Sequence, residues 1–236
     1  MPTVTPAISI NTRMTKPSIK QLRLWQLISP SLPIGAYAYS GGLEAAVEAQ
    51  WITDQEQACH WISQLIEFGL LKLDIPVFNR LYSSSEEQDV VSFNEWNAYL
   101  LASRESSELR EEDIQLARAL KRLLIDMDMP MSSLTECEYA YAAIFAHACA
   151  NWQIDRVDAA HALVWSWCEN QVAAAIKLVP LGQTAGQQIL QQLQPMIIEL
   201  TQPALTLADD EIGYTLPGLA IISARHEHQY TRLFRS

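Results

Sequence analysis

The sequence predicts an all-α fold, a single-domain helical bundle of roughly eight to ten helices. Apolar residues recur at spacings of three and four along most of the chain. Alternating patterns typical of strands are nearly absent between turn signals. With 236 residues, of which 49% are apolar and 18% charged, the chain is long enough to bury a sizeable core.

Several helix starts are predicted from capping residues. In a capping box a hydroxyl caps the helix and an acid three residues later reaches back to the cap. Three such pairs occur: Thr53 with Glu56, Ser92 with Glu95, and Thr135 with Glu138. Asp155 is predicted to cap a further helix that is apolar enough to be central. The polar run at residues 83–89 is predicted to be a surface loop.

The last third of the chain contains four prolines, at positions 180, 195, 203 and 217. Each removes a backbone donor and is expected to end or kink a helix. The uncharged stretch 178–198 is long enough to cross a bilayer by residue count. Its six glutamines would be costly in hydrocarbon, so no membrane segment is expected.

Charge is distributed unevenly along the chain. The formal net charge is −11, from 16 basic and 27 acidic residues, so a nucleic acid is not expected as a partner. The residues before Glu44 include four basic side chains and no acid, whereas eleven acids lie between Arg122 and Arg225. The last residues are basic again. Basic ends of this kind dock either on the acidic body of the same chain or on a partner surface.

The cysteines and the first residues bear on the cellular compartment. Four scattered cysteines without a CxxC pair are typical of reduced thiols in a cytoplasmic protein. The N-terminus has no apolar stretch of the signal-peptide type. We therefore expect a cytoplasmic protein in three parts: a flexible N-terminal segment (residues 1–20), an all-α domain (21–224) and a C-terminal docking tail (225–236, "the tail").

No catalytic constellation is apparent around Ser40. The sequence Ala-Tyr-Ser-Gly-Gly resembles a nucleophile elbow, but that device needs a preceding strand, and prolines precede it here. We expect Ser40 to be the N-cap of the helix that carries Leu43 and Val47.

Two other motifs are similarly weak. The run Asp209-Asp210-Glu211 is similar to the metal–diphosphate motif of all-α prenyl-transfer enzymes, but Gly213 stands where a further acid is expected. Carboxylates at a helix end or in a loop are the alternative explanation. Gly182 and Gly186 lack the lysine of a phosphate loop and indicate close packing or a turn.

The histidines do not define a metal site. His226 and His228 would share one face of a strand but lie far apart around a helix. His60 and His161 stand alone on apolar helices, where a hydrogen-bonded core histidine is usual. We expect neither a resident metal nor a cofactor; a nickel or zinc carrier that uses His226 and His228 is an alternative.

The tail has the composition of a binding interface. Tyr230, Phe234 and three arginines lie in the last residues, and these residue types dominate binding energy at interfaces. A chain end is normally frayed and polar, so Leu233 and Phe234 indicate docking. The docking surface is either a partner or the body of the same chain.

Three segments resemble the UreF family of urease accessory proteins. Residues 27–44 contain a proline- and glycine-rich segment that runs into Tyr-Ser-Gly-Gly-Leu-Glu. Residues 177–187 contain Val-Pro-Leu-Gly-Gln-Thr, and the chain ends in Ser-Ala-Arg-His-Glu-His-Gln-Tyr-Thr-Arg-Leu-Phe-Arg-Ser. Their order and spacing resemble the family over residues 20–236. Gly41 departs from the family, which has a larger side chain at that position.

The resemblance implies an all-α, non-catalytic homodimer. Members of the family bind the accessory protein UreD (UreH in some organisms) and recruit the GTPase UreG. The assembly docks on apo-urease, where GTP hydrolysis is coupled to nickel delivery. The resemblance thus implies a scaffold that regulates UreG; the alternatives are an all-α Mg-dependent diphosphate enzyme and a metal carrier.

The resemblance also implies two groups of partner-binding residues. The first group is expected to order on UreD and comprises Arg225, His226, Glu227, Tyr230, Arg232, Leu233, Phe234 and Arg235. The second is expected to support a UreG-facing surface near the dimer axis and comprises Tyr37, Tyr39, Ser40, Gly42, Glu44, Lys177, Gln183 and Thr184. Within it, we expect Lys177 to pair with Glu44. A buried polar network that fixes helix packing is the alternative for the second group.

Overall fold

The computed structural model describes residues 17–131, 134, 136–213 and 216–236. Within these ranges the chain forms ten α-helices and no strand, which confirms the all-α prediction. The helices are α1 (Ile19–Leu27), α2 (Leu43–Glu48), α3 (Gln55–Leu65), α4 (Asp74–Glu87), α5 (Val90–Ala102), α6 (Ser107–Asp126), α7 (Tyr141–Asn151), α8 (Arg156–Leu178), α9 (Gln183–Ala204) and α10 (Pro217–His226).

Helices α7 and α8 lie at the centre of the bundle. Every residue of α7 from Ala142 to Ala150 is buried, and its many alanines let neighbouring helices approach closely on several sides. Helices α4 and α6 pack against α7, while α8 packs along α9 and also contacts α2, α3, α4 and α7. The rings of Phe78 in α4 and Phe145 in α7 are 6.3 Å apart, a normal spacing for an aromatic pair in a core.

The contact between α8 and α9 depends on a small residue. A Cβ atom at Gly186 would overlap the side chain of Ile176, so glycine allows the two helices to approach. Gly182 directly precedes the first residue of α9 and is its N-cap. This confirms the expectation that the two glycines mark close packing or a turn.

Two predicted helix starts were wrong, one by a single residue and the other by three. Asp54 caps α3 in place of Thr53, and Asp89 caps α5 in place of Ser92. A carboxylate is favoured at this position because it accepts a free helix N–H group and complements the positive end of the helix dipole. Thr135 lies outside the described residues. Asp155 caps α8, as predicted, by accepting the N–H groups of the first turn.

Two helices continue past predicted breaks. Helix α4 extends through most of the polar run at residues 83–89 and ends at Glu87, and the next residue, Gln88, has a left-handed φ of 58°. The prediction of a loop there was therefore wrong. Helix α9 continues past Pro195, whereas Pro203 lies one residue before its end at Ala204 and Pro217 opens α10. The packing of α9 along α8 offsets the loss of single hydrogen bonds at the prolines.

Within the described ranges, no helix is both long enough and apolar enough to cross a membrane.

A buried ion network joins four helices around Arg104, which follows α5. Its guanidinium lies 2.7 Å from Asp74 at the start of α4 and 2.7 Å from Asp113 on α6. Asp113 also accepts the N–H of Tyr141, the first residue of α7. Burial alone would lower the pKa of Arg104, but the two carboxylates outweigh it and raise this pKa well above its ordinary value.

We expect Arg104→Met to lower the free energy of unfolding by about 3–5 kcal/mol, because it leaves two buried carboxylates without a counter-charge. The matched control is Arg110→Met, which removes an exposed ion pair with Glu138 and should cost at most about 1 kcal/mol. Urea unfolding followed by circular dichroism measures both values. Equal losses in the two variants would contradict a structural role for the network.

Candidate functional site

The tail folds back onto the body of the chain, and Glu44 is the residue that holds it. Glu44 lies in the first turn of α2, and only 9% of its side chain is exposed. Its carboxylate accepts the N–H of Leu233 at 2.6 Å and the N–H of Phe234 at 2.8 Å. Hydrogen bonds to a charged acceptor are stronger than neutral ones, so this pair fixes the backbone of the tail.

The segment before Glu44 binds the next two residues of the tail through the main chain. Arg235 donates its N–H to the carbonyl of Ala38 at 2.9 Å. The main-chain oxygen of Ser236 accepts the N–H of Ser40 at 3.0 Å. The same oxygen also accepts a hydrogen bond from the Ser40 hydroxyl. The same hydroxyl accepts the N–H of Glu44 and so links the two contacts.

The side chain of Phe234 is buried, with 5% of its surface exposed. The Lys177 ammonium lies 5.4 Å from the centroid of its ring, within the range of a cation–π interaction. Glu44 and Lys177 form no ion pair in the described part of the chain, so the expected pairing of the two was wrong. The backbone N–H groups of the tail occupy the carboxylate instead.

Helix α6 forms the other wall of the site. His226 is fully buried between two carboxylates: its Nδ1 lies 2.7 Å from Glu108 and its Nε2 3.3 Å from Glu44. Glu108 also pairs with Arg232. Further along α6, Glu112 accepts a hydrogen bond from the Ser236 hydroxyl. Desolvation by burial raises the pKa of Glu112 to about 7.

The turn before α2 requires glycine. Gly41 and Gly42 both have left-handed φ angles, of 58° and 84°. Gly42 is the N-cap of α2 and also lies against Leu219 of α10, where a Cβ would be 3.3 Å from a methyl group. Ser40 therefore lies two residues too early to be the N-cap, and that prediction was wrong.

The outer face of the tail exposes aromatic, apolar and basic side chains to solvent. Tyr230 is fully exposed and Leu233 is 65% exposed. Arg225 and Arg235 are exposed as well. Glu227 is half-buried and accepts a hydrogen bond from Ser107, which lowers its pKa. Arg225 and His226 belong to α10, so the described tail leaves the helix only at Glu227.

The second predicted group is only partly brought together. Tyr39 is buried, and its carbonyl accepts a hydrogen bond from Asn170. Tyr37 is 71% exposed and lines, together with Gln183, a groove of about 460 Å³ between α1, α6, α8 and α9. Thr184 is exposed at the start of α9.

Three members of this second group contact the tail: Ser40 and Glu44 bind it, and Lys177 covers Phe234.

The residues of the alternative functions have other contacts. Asp209 pairs with Arg80 at 2.7 Å, and Glu211 accepts the N–H of Ala208 in a short 3₁₀ turn. His226 faces two carboxylates, whereas His228 is exposed. Among the described residues, no group of three or more histidine, cysteine, aspartate or glutamate side chains could hold a metal ion.

Sequence reasoning missed the contributions of Glu108, Glu112 and Asn170. The two glutamates contact the tail across more than one hundred residues of chain, so no local spacing pairs them with it. Only the acidic first half of α6 and the basic tail gave an indirect signal, through charge complementarity.

The fold and the site define an all-α protein whose polar clusters hold its own helices and tail together. Comparison with known proteins identifies the family to which it belongs. A model of the UreF family matches residues 52–194, more than half of the chain. The chain belongs to the UreF family of urease accessory proteins, which confirms the resemblance seen in the sequence.

The similarity to curated relatives extends over nearly the whole chain. A urease accessory protein UreF from Alkalilimnicola ehrlichii is 47% identical, and the match covers 94% of this chain and 98% of that protein. A urease accessory protein UreF from Hahella chejuensis is 43% identical over 93% of this chain and 100% of its own length. Urease accessory protein UreF 2 from Brucella anthropi is 44% identical, and the match covers 94% of this chain and 99% of that protein.

We expect Glu112→Gln to remove part of the pH dependence of stability. The pKa of Glu112 in the folded state, about 7, lies above its ordinary value of 4.5, so the folded state binds more protons between these values. The stability that protonated Glu112 contributes to the folded state is fully present below its ordinary pKa and is lost as the pH rises towards 7. The free energy of unfolding of the variant should therefore exceed that of the wild type by up to about 3 kcal/mol at pH 8 and by less than about 1 kcal/mol at pH 5.

Thermal unfolding at both pH values measures this difference. The exposed Glu95→Gln on α5 is the control and should follow the wild type at each pH. A Glu112→Gln variant whose advantage is the same at pH 5 and pH 8 would contradict the expectation.

Proposed function

We propose that the protein is a scaffold without catalytic activity of its own in the maturation of urease. It bridges UreD (UreH) and the GTPase UreG and regulates GTP-coupled insertion of nickel, the cargo, into apo-urease. The observation that carries this proposal is the agreement along nearly the whole chain with proteins named urease accessory protein UreF. No described contact favours the diphosphate enzyme or the metal carrier over this function.

The exposed face of the tail is the proposed contact surface for UreD. Leu233 and Tyr230 present apolar and aromatic surface to solvent, and the exposed Arg225 and Arg235 add positive charge to the tail. Aromatic residues and arginines of this kind commonly dominate binding energy at interfaces. The buried members of the group, such as His226 and Phe234, act by positioning this face.

We expect Leu233→Asp to reduce capture of UreD by at least about tenfold, because it places a charge in the apolar part of the contact surface. The matched control is Val91→Asp, which changes a similarly exposed apolar side chain on α5. Co-expression with tagged UreD and pull-down measures capture, and circular dichroism checks the fold. Equal recovery of the two variants with UreD would argue against this contact surface.

The region around Lys177 is the proposed support of the UreG-facing surface. Lys177 lies in the last turn of α8, and its ammonium covers the ring of Phe234. Tyr37 and Gln183 line the neighbouring groove and leave polar groups accessible there. Ser40 and Glu44 are buried, so they support this surface from below.

We expect Lys177→Ala to lower recruitment of UreG and the nickel content of urease by about tenfold, because the cation beside the surface is lost. Lys177→Arg keeps the charge and the cation–π contact and should retain most of both. Arg122→Ala, at an exposed arginine of α6, is the control for loss of charge alone. Pull-down of UreG and metal analysis of co-expressed urease give the two readings. Unchanged values for Lys177→Ala would remove this role.

The protein is proposed to act as a homodimer in the cytoplasm. Helix α1 exposes Ile19, Leu22 and Trp25 on one face, and Ile198 of α9 is exposed beside the same region. An apolar patch of this kind is typical of a protein–protein contact. The described residues contain no disulfide, which agrees with a reducing compartment.

A further inference from the structure

The groove between α1, α6, α8 and α9 leaves one face of the central helix α8 accessible. Helix α8 contributes Trp167, Asn170, Ala173 and Ile176 to it, among other residues. These four recur at spacings of three, so they lie on one face of the helix. Ala173 is exposed, although helix α8 is otherwise central to the bundle. A small exposed residue at this place leaves room for side chains from another molecule.

Helical spacing also recurs on the neighbouring helices. The residues that α6 and α9 contribute to the groove lie three or four positions apart: they include Leu109, Glu112 and Leu116 on α6, and Gln183, Gln187 and Leu190 on α9. Helices pack by fitting rows of side chains with this spacing between one another. The lining on α8 runs from Leu163 to Ile176, which is about 20 Å at the rise of an α-helix. The groove therefore matches the length of a further helix of about three to four turns.

The lining of the groove is largely apolar, and its charges are mainly negative. Five carboxylates line it, whereas Arg104 is the one cation among the described lining residues. The guanidinium of Arg104 already pairs with two of the five. The other three belong to Glu105, Glu112 and Glu169, and desolvation by burial raises the pKa of each. A ligand that brings positive charge would offset this desolvation.

We propose that the groove binds an amphipathic helix of a partner protein, whose apolar face lies along α8 and whose lysine or arginine side chains meet Glu105, Glu112 and Glu169. Insertion of the apolar face of a helix into a groove, with anchors three and four residues apart, is a general mode of recognition. The inference goes beyond the proposed function, because it names the kind of segment that binds and holds for any protein that supplies it.

A second copy of this chain fits the groove less well. Helix α1 has an exposed apolar face and two basic residues, but both of these have contacts within their own chain. Lys20 donates a hydrogen bond to Gln153, and the guanidinium of Arg23 lies 5.1 Å from the centroid of the Trp152 ring. The net charge of −11 also opposes the approach of a second copy to an acidic groove.

A designed helical peptide tests the groove in the full chain. The probe is a fluorescently labelled peptide of about 14 residues, with leucines at spacings of three and four and lysines elsewhere. Ala173→Trp fills the groove and should weaken binding of the probe by at least about tenfold. Glu169→Gln keeps the shape but removes a charge, and should weaken binding by at least about threefold. Ala98→Trp and Glu95→Gln, at exposed positions on α5, are the matched controls.

Fluorescence anisotropy at physiological salt measures the dissociation constants, and circular dichroism checks the fold. Weaker binding in the two groove variants but not in their controls supports the proposal. Equal losses in Glu169→Gln and Glu95→Gln overturn it, because the probe then responds only to net charge. Unchanged binding in both groove variants overturns it too, as does equal binding of a peptide with glutamates in place of the lysines.

Sedimentation of the protein without the probe tests the second copy as the occupant. If Ala173→Trp converts a wild-type dimer into a monomer and Ala98→Trp does not, a second copy fills the groove and the proposal is wrong. An oligomeric state that is the same in all variants supports a different protein as the partner. Because Glu169→Gln preserves the size of the side chain, its effect on probe binding decides the question even if Ala173→Trp fails to fold.

Discussion

A buried carboxylate must be satisfied by hydrogen bonds, and the arrangement around α2 depends on how Glu44 meets this requirement. The tail supplies two N–H groups to it, and the fully buried His226 lies beside it at the end of α10. The same contacts satisfy backbone donors that the tail would otherwise bury without a partner. The start of α2, the end of α10 and the last residues of the tail are therefore held by one side chain.

Much of the fold could be predicted from the sequence, because helical spacing is a local signal. The all-α class and the central helix capped by Asp155 both follow from it. The exact limits of the helices could not be predicted, because neighbouring polar side chains compete for the same N–H groups. Asp54, for example, replaces Thr53 as the cap of α3. Tertiary packing also overrides local breakers, as where α9 continues past Pro195.

The candidate site was predictable in its segments but not in its pairings. The tail and the residues from Tyr37 to Glu44 stood out because their motifs and composition are unusual. The partners of Glu44 could not be read from the sequence, because they are backbone N–H groups, which every residue except proline carries. Lys177 illustrates the same limit: charge counting favoured a carboxylate, whereas the structure places an aromatic ring beneath its ammonium.

Buried and exposed residues alternate from Leu233 to Ser236. The number of residues in the tail therefore matters as well as their identity. A conservative replacement at an outward position leaves the spacing intact. Inserting or deleting one residue between Glu227 and Phe234 would change which side chain reaches the buried position beside Lys177. Evolution of this region should therefore favour exchanges of residues over gains or losses of single residues.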